Sequence, residues 1–405
     1  MPKTDPGTTC APGAEHGSAI SATYLCAFFS LSQMQMIALS VPLWGGSLGL
    51  SAAVLGLAMA SRSILPLVYS IHCGALMDHL GVRPMLVAAS TIGVALILAH
   101  PVLPFASALI ILQVILGLSS AICWLGAQTA IGQLAAGNRR YTARFSLFSV
   151  AGLIVGPIVL GLVWQTLGPI AGFTLIGFWG CGTLIAARRL PAARRPDSAP
   201  APQHWSRLVL PDLAAYRRAL QLAMTAAGAY LVIFSLLRLA GITMQESFYP
   251  VLLQGMGYPA GIIGMLVGLG NLVSLPASLL SERWTRLWGG DGRALAGAIA
   301  LSLCAMAATP MLTSLPLLVA GVVVFGFGVG VSMPGILNLM SAGLPQQDQG
   351  VAAGLRATAN RLATFGLPIL MGVLAQVAGL EASFWIMGGL LALLTILAGI
   401  AARRL

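Results

Sequence analysis

Apolar residues in this chain do not alternate with polar ones or recur as a one-sided helical stripe; they run together in long blocks. A bilayer-spanning helix needs about 20 largely apolar residues. Blocks of that order occupy 19–43, 51–77, 84–103, 106–134, 145–166, 169–187, 219–246, 257–281, 294–311, 315–341, 351–377 and 381–402. Each predicts a membrane-spanning helix. Twelve spans place both ends of the chain on one side of the membrane, so the expected fold is an all-α polytopic membrane protein.

The breaks between blocks are short except one, the polar tract 188–218, which carries seven arginines around a Pro/Ala-rich middle. It divides the pattern into a cytoplasmic tail (1–18), a first six-helix bundle (19–187), a basic cytoplasmic linker (188–218) and a second six-helix bundle (219–402). With the amino terminus in the cytoplasm, Lys3, Arg83, Arg139, Arg140, Arg144, the linker arginines, Arg283, Arg286, Arg293, Arg356, Arg361, Arg403 and Arg404 all fall on or near the cytoplasmic side, and no Lys or Arg falls in an opposite loop. Cytoplasmic loops carry that excess by rule, so both termini are expected in the cytoplasm and the protein in the cell membrane. The two halves echo one another: Gly117 and Gly328, Gly132 and Gly343, Pro157 and Pro368, and Gly161 and Gly372 are each 211 residues apart. A duplicated six-span unit requires such matches.

Composition sharpens the exclusions. With 58% hydrophobic and 8% charged residues and a mean hydropathy of +0.91, there is too little polar surface to cover a water-soluble enzyme. The formal charge of +11 comes from 21 basic and 10 acidic residues. It lacks the clustered Lys/Arg and interleaved aromatics of a nucleic-acid face, so topology explains it and no nucleic-acid partner is expected. The six cysteines form no C-x-x-C pair and read as small packing residues, not as metal ligands or disulfides. No phosphate-binding G-x-x-x-x-G-K-[ST] occurs, so no cofactor or nucleotide is implied and a gradient must supply the energy.

Between the second and third blocks the chain reads Gly74-Ala-Leu-Met-Asp78-His79-Leu80-Gly81-Val82-Arg83. A carboxylate at a helix end, then a glycine able to take positive φ, then a cation make a tight charged turn. This resembles the cytoplasmic signature loop of the major facilitator superfamily, G-x-L-x-D-R-x-G-R-R, with His79 and Val82 departing from two basic positions. Glu282 and Arg283 look like its degraded copy in the second half. Gly152-x-x-x-Gly156-Pro157-x-x-x-Gly161 is similar to the family's antiporter pattern, with Leu160 in place of one glycine. Glycines there permit close helix contact and Pro157 frees a carbonyl. Gln113 stands where many relatives carry a span-four arginine. The resemblance implies two pseudo-symmetric six-helix bundles, alternating access, and a loop in which Asp78 docks near Arg356.

Ionisable residues at membrane depth are functional candidates by default. Arg62, eleven residues into its span, lies roughly mid-bilayer at 1.5 Å per residue. Arg238 and Glu246 share span seven, eight residues or about 12 Å apart and about 80° out of line, so they are not expected to pair. His72 lies six residues before Asp78. In span four, Gln113, Gly117, Ser120, Trp124 and Gln128 fall within about 80° of one face. The substrate candidates are therefore Arg238, Trp124, Gln128, Gln33, Asn338, Asn271 and Arg62; the proton candidates are Glu246 and His72, and Asp78 follows them. Each Arg has an alternative as a structural strut, each amide as interhelical glue, and Glu246 as a solvated helix end. Met34 and Met36 read as packing.

The function expected is secondary active transport: proton-coupled export of a small organic molecule, a drug or siderophore-like metabolite with an anionic group. Import of an organic anion or vitamin, or a transport-inactive receptor or scaffold, are the alternatives, and an enzyme is not expected. The partners are a small-molecule substrate, protons and the lipid bilayer, and the chain is expected to act as a monomer.

Overall fold

The computed structural model describes residues 12–135, 138–191, 217, 220–343 and 349–401. Helices account for the described spans. Span one is α1 (Pro12–Ser47); span two is broken into α2 (Ala52–Ser61) and α3 (Ile64–Leu80); α4 (Val82–Ala99) and α5 (Ala106–Ala135) follow. α6 (Arg139–Arg188) is two spans joined at Gly168, whose φ of 83° turns the chain back on itself. The second half comprises α7 (Ala226–Ser247) and its extension α8 (Tyr249–Gly255), α9 (Ala260–Leu279), a surface helix α10 (Ser281–Trp288), α11 (Asp291–Ala308), α12 (Leu315–Gly343), α13 (Gln349–Ala378) and α14 (Leu380–Ala401). Eleven described helices are long and apolar enough to span; the kink in α6 makes twelve crossings.

The protein has a terminal end, where α1 starts and α14 finishes, and a far end, where the turns near 49, 168, 257 and 379 lie. At all four turns a glycine with positive φ reverses the chain. The chain turns at Gly81 on the terminal side in the same way, with φ 90° and its N–H donated to the Met77 carbonyl at 2.9 Å. Apolar side chains still face outward along the spans, among them Ile111, Phe178, Leu370 and Leu397. That is the surface expected where the solvent is lipid.

Where the halves meet, they meet backbone to backbone. A Cβ at Gly264 would fall on the Pro157 carbonyl, and one at Gly161 would lie 2.5 Å from the Ala260 carbonyl. The other side of the interface repeats this: a Cβ at Gly56 would fall on the Pro368 carbonyl, and one at Gly372 would lie 2.6 Å from the Ala52 carbonyl. Pro157 and Pro368, like Gly161 and Gly372, are the 211-residue pairs of the repeat. The two seams are therefore one contact made twice, and both lie in the far half of the molecule. Toward the terminal end, Gln128 of α5 and Asn338 of α12 are exposed.

Glu282 and Arg283 lie on α10, an amphipathic helix bearing Trp284 and Trp288 beside its charges. Glu282 pairs with Arg286 at 3.5 Å, and Trp284 Nε1 donates to the Ala294 carbonyl at 2.8 Å. An indole anchored above a charged face suits a helix lying at a membrane surface.

Filling a seam should break it. Gly264→Leu and Gly56→Leu each push a side chain into a neighbouring carbonyl and should lower stability by about 1–3 kcal/mol, read as a drop of several degrees in the melting temperature of the detergent-solubilised protein. Gly389→Leu, whose Cβ would meet nothing within 4 Å, should leave it unchanged. Equal melting for all three would mean the seams carry no weight.

Candidate functional site

Between the halves, above the seams, lies a cavity of about 370 Å³ lined from α1, α2, α3, α5, α7 and α13. Its charged side chains are Arg62, Arg361 and Glu246. Ser63, Ser120, Thr243, Asn360 and Thr364 add hydroxyls and an amide, and Met34, Met59 and Trp124 add apolar surface.

The sequence around Arg62 explains its position. Pro66 has no N–H and its ring collides with the carbonyl four residues back, which is that of Arg62. The helix accordingly breaks there, with Arg62 as the C-cap of α2 and Ser63 opening α3. The displaced Arg62 carbonyl rests against Gly117 of α5, where any Cβ would overlap it. Ser63 Oγ, one step along, donates to Thr364 Oγ1 of α13 at 3.0 Å. Proline, glycine and serine thus fix the backbone from which the guanidinium enters the cavity. Among the described residues neither Arg62 nor Arg361 has a side-chain hydrogen bond or ion-pair partner.

Glu246 is held differently. Gln35 Nε2 of α1 donates to its Oε1 at 2.9 Å, a contact between halves. The contact joins span one of the first half to span seven of the second.

The remaining candidates lie elsewhere. Arg238 Nε donates to Ser332 Oγ at 3.0 Å and its Nη2 to the Val329 carbonyl at 3.3 Å, tying α7 to α12 inside the second half. Gln33 donates to the Ile176 carbonyl at 3.4 Å inside the first half. Gln113 is turned to His100, its Nε2 donating to His100 Nε2 at 3.0 Å. Gln128 and Asn338 are exposed at the terminal end. Met36 is fully buried and packs, whereas Met34 lines the cavity. Asn271 Nδ2 donates to the Leu153 carbonyl at 3.2 Å. That carbonyl lies four residues before Pro157, so it is the one the proline leaves without its helical partner. Asn271 thus fills, from the other half, the vacancy made by the span-five motif. In that motif Gly152 and Gly156 face α1 while Pro157 and Gly161 face α9. The side chains of His72, Gly74 and Asp78 lie outside the described residues, so the proposed docking of Asp78 near Arg356 does too. Arg83 is half-buried beside Gly81, and Arg356 holds a buried Nε without a partner among the described residues.

Sequence reasoning missed Arg361 of the cavity and Gln35, the partner of Glu246. Arg361 was placed with the cytoplasmic arginines, although it lies ten residues beyond Val351, where its block begins; the depth count applied to Arg62 finds it as well. Gln35 carried no such signal, because nothing in the sequence shows which side chain faces it.

Two repeated bundles with a polar cavity between them are the architecture of many secondary transporters. The Major Facilitator Superfamily profile matches residues 23–367, and the chain belongs to that superfamily. It is 30% identical over 162 residues to a multi-drug resistance efflux pump PmrA homolog of Lactococcus lactis; the match takes in 39% of this chain and 40% of that protein, so it spans less than half of the relative. Solved structures share the fold at low identity. The nucleoside transporter NupG superposes with a TM-score of 0.76 at 15% identity, covering 96% of this chain and 99% of its own. A bacterial homolog to the human lysosomal transporter Spinster, solved in an inward-facing and unoccupied conformation, gives 0.73 at 12%, with 98% of each chain covered. The protein is a multi-span membrane transporter of this superfamily.

The carbonyl between Pro157 and Asn271 yields a test. Asn271→Leu should cost about 1–2 kcal/mol by orphaning the Leu153 carbonyl, seen as a lower melting temperature. In a Pro157→Ala background, where a backbone N–H can satisfy that carbonyl, the same substitution should cost much less. Additive costs would show that the two residues do not share the carbonyl.

Proposed function

We propose that this protein exports a small organic molecule from the cytoplasm in exchange for protons, with Glu246 as the proton carrier. The observation that carries the reading is the position of Glu246, the one carboxylate lining the central cavity among the described residues, held from the opposite half by Gln35. The partial likeness to an efflux pump and the span-five motif support export. The arginine asymmetry supports a cell-membrane location with both termini and the 188–218 linker in the cytoplasm; the terminal end then faces the cytoplasm, where an exporter collects cargo, and the seams lie toward the outside.

In this reading the far-side seal includes a charge-assisted hydrogen bond, which is stronger than its neutral counterpart. A proton reaching Glu246 from outside replaces the strong bond with a weaker one, and its release to the cytoplasm restores it. Proton occupancy thereby biases which end is open, which is what coupling requires. The lipid bilayer is the solvent of the spans, and a single chain contains the whole pathway, so the unit of transport is the monomer. His72 and Asp78 are the carriers to examine next if Glu246 fails.

Comparing small molecules in the medium of deletion and overexpressing cells identifies the cargo, which is then offered to everted membrane vesicles. Acidifying the vesicle lumen should drive cargo uptake by wild-type protein, and Glu246→Gln should abolish that response while leaving gradient-independent exchange. Uptake in right-side-out vesicles driven by external acid would instead mean import. Full pH-driven uptake by Glu246→Gln would remove Glu246 from the mechanism.

The Gln35 contact has its own readout. A cysteine at Val41, a cavity residue, can react with an external impermeant maleimide only when the far end opens. Gln35→Leu removes a charge-assisted hydrogen bond worth about 1.5–3 kcal/mol, so labelling of Val41→Cys should rise at least about tenfold. An unchanged rate would show that the contact does not contribute to the seal.

A further inference from the structure

The cavity holds two guanidinium groups and one carboxylate, and the carboxylate already accepts a hydrogen bond from Gln35. Arg361 lies within the repulsive field of Arg62, and Glu246 acts on Arg62 from across the cavity without forming an ion pair with it. Neither guanidinium has a hydrogen-bond or ion-pair partner among the described residues, whereas Arg238 of α7 has two hydrogen-bond partners. Leaving cations unpaired at membrane depth is costly. Here the cost is incurred twice in one space, by side chains from opposite halves.

We propose that Arg62 and Arg361 form a clamp for the oxyanion of an organic monoanion whose flat apolar body lies against Trp124 and Met59. The clamp rests on the reading that this cavity carries the cargo, and it specifies the cargo's chemistry. A planar guanidinium offers parallel donors that match a carboxylate, and two of them can grip its two oxygens from opposite sides. An inorganic anion would satisfy the arginines but leave the apolar wall in contact with water. The volume of about 370 Å³ is at the lower end of the range for small-molecule sites, about 300–1,000 Å³.

The two arginines belong to different halves, so a bound oxyanion does more than neutralise charge. It replaces Arg–Arg repulsion with a shared partner and favours the halves' approach beyond the Ser63–Thr364 contact. A ligand shifts a conformational equilibrium only by its differential affinity for the two states, and an anion gripped from both sides has that property.

The experiment uses the purified full-length protein in nanodiscs, with no gradient, and follows binding by thermal shift. The probes are 2-naphthoate, its neutral analogue 2-naphthamide, and sodium phosphate, each up to millimolar concentration. Wild type should bind 2-naphthoate at least tenfold more tightly than 2-naphthamide or phosphate. Arg62→Gln and Arg361→Gln should each weaken 2-naphthoate at least tenfold, with ligand-free melting near wild type, and Arg361→Lys should recover part of the loss. Absence of 2-naphthoate binding, equal binding of the amide, equal binding of phosphate, or wild-type affinity in both Gln variants would each overturn the proposal. If a Gln variant melts early, its affinity is read from the Lys variant at the same position; wild-type affinity there would also count against a bidentate clamp. Because no proton gradient is involved, this result is independent of whether Glu246 carries protons: a clamp can exist in a protein that imports, and an exporter of neutral cargo would lack one.

Discussion

Two halves of a membrane transporter cannot rely on the hydrophobic effect to hold them together, because lipid tails are as apolar as leucine. What remains is close packing and hydrogen bonding, and close packing between helices requires the absence of side chains. The seams at Gly161/Gly264 and Gly56/Gly372 meet that requirement by bringing backbone against backbone. Everything else at the interface depends on that approach. Gln35 reaches Glu246, Ser63 reaches Thr364 and Asn271 reaches Leu153 only because the helices carrying them are already that near. Such seams are all or none: side chains interdigitating over a broad surface can slide, but a glycine against a carbonyl has one arrangement that fits. An interface built this way is suited to opening and closing as a unit.

The prolines of the spans produce polar chemistry without polar residues. Each removes an N–H and displaces a carbonyl one turn earlier, and the structure uses those carbonyls. Pro157 exposes that of Leu153 to Asn271, and Pro66 turns that of Arg62 toward Gly117. In a low-dielectric medium a freed carbonyl is a strong acceptor that must be satisfied. A proline placed near a seam therefore decides which partner the opposite half must present.

Much of this was legible in the sequence, and the remainder has identifiable physical reasons. Apolar block length gave the crossings because the bilayer's thickness is a single ruler. The span-five motif was recognised, but its division of labour, two glycines toward α1 and the Pro157–Gly161 stretch toward α9, needed the three-dimensional neighbours. Arg62 and Glu246 were picked by cost alone and both line the cavity. The same criterion picked Arg238, which instead donates to Ser332 and Val329: an arginine's expense in the membrane is visible from sequence, while what satisfies it is not. Amides were the least legible, since Gln33, Gln35, Asn271 and Gln113 differ only in what faces them.

The pairing of Gln35 with Glu246 has a consequence for what the interface can store. An amide offers a donor but does not titrate, so this contact across the halves holds one ionisable proton where two facing acids would hold two. Whatever charge the carboxylate carries is met from the opposite half by a fixed dipole and not by a second charge.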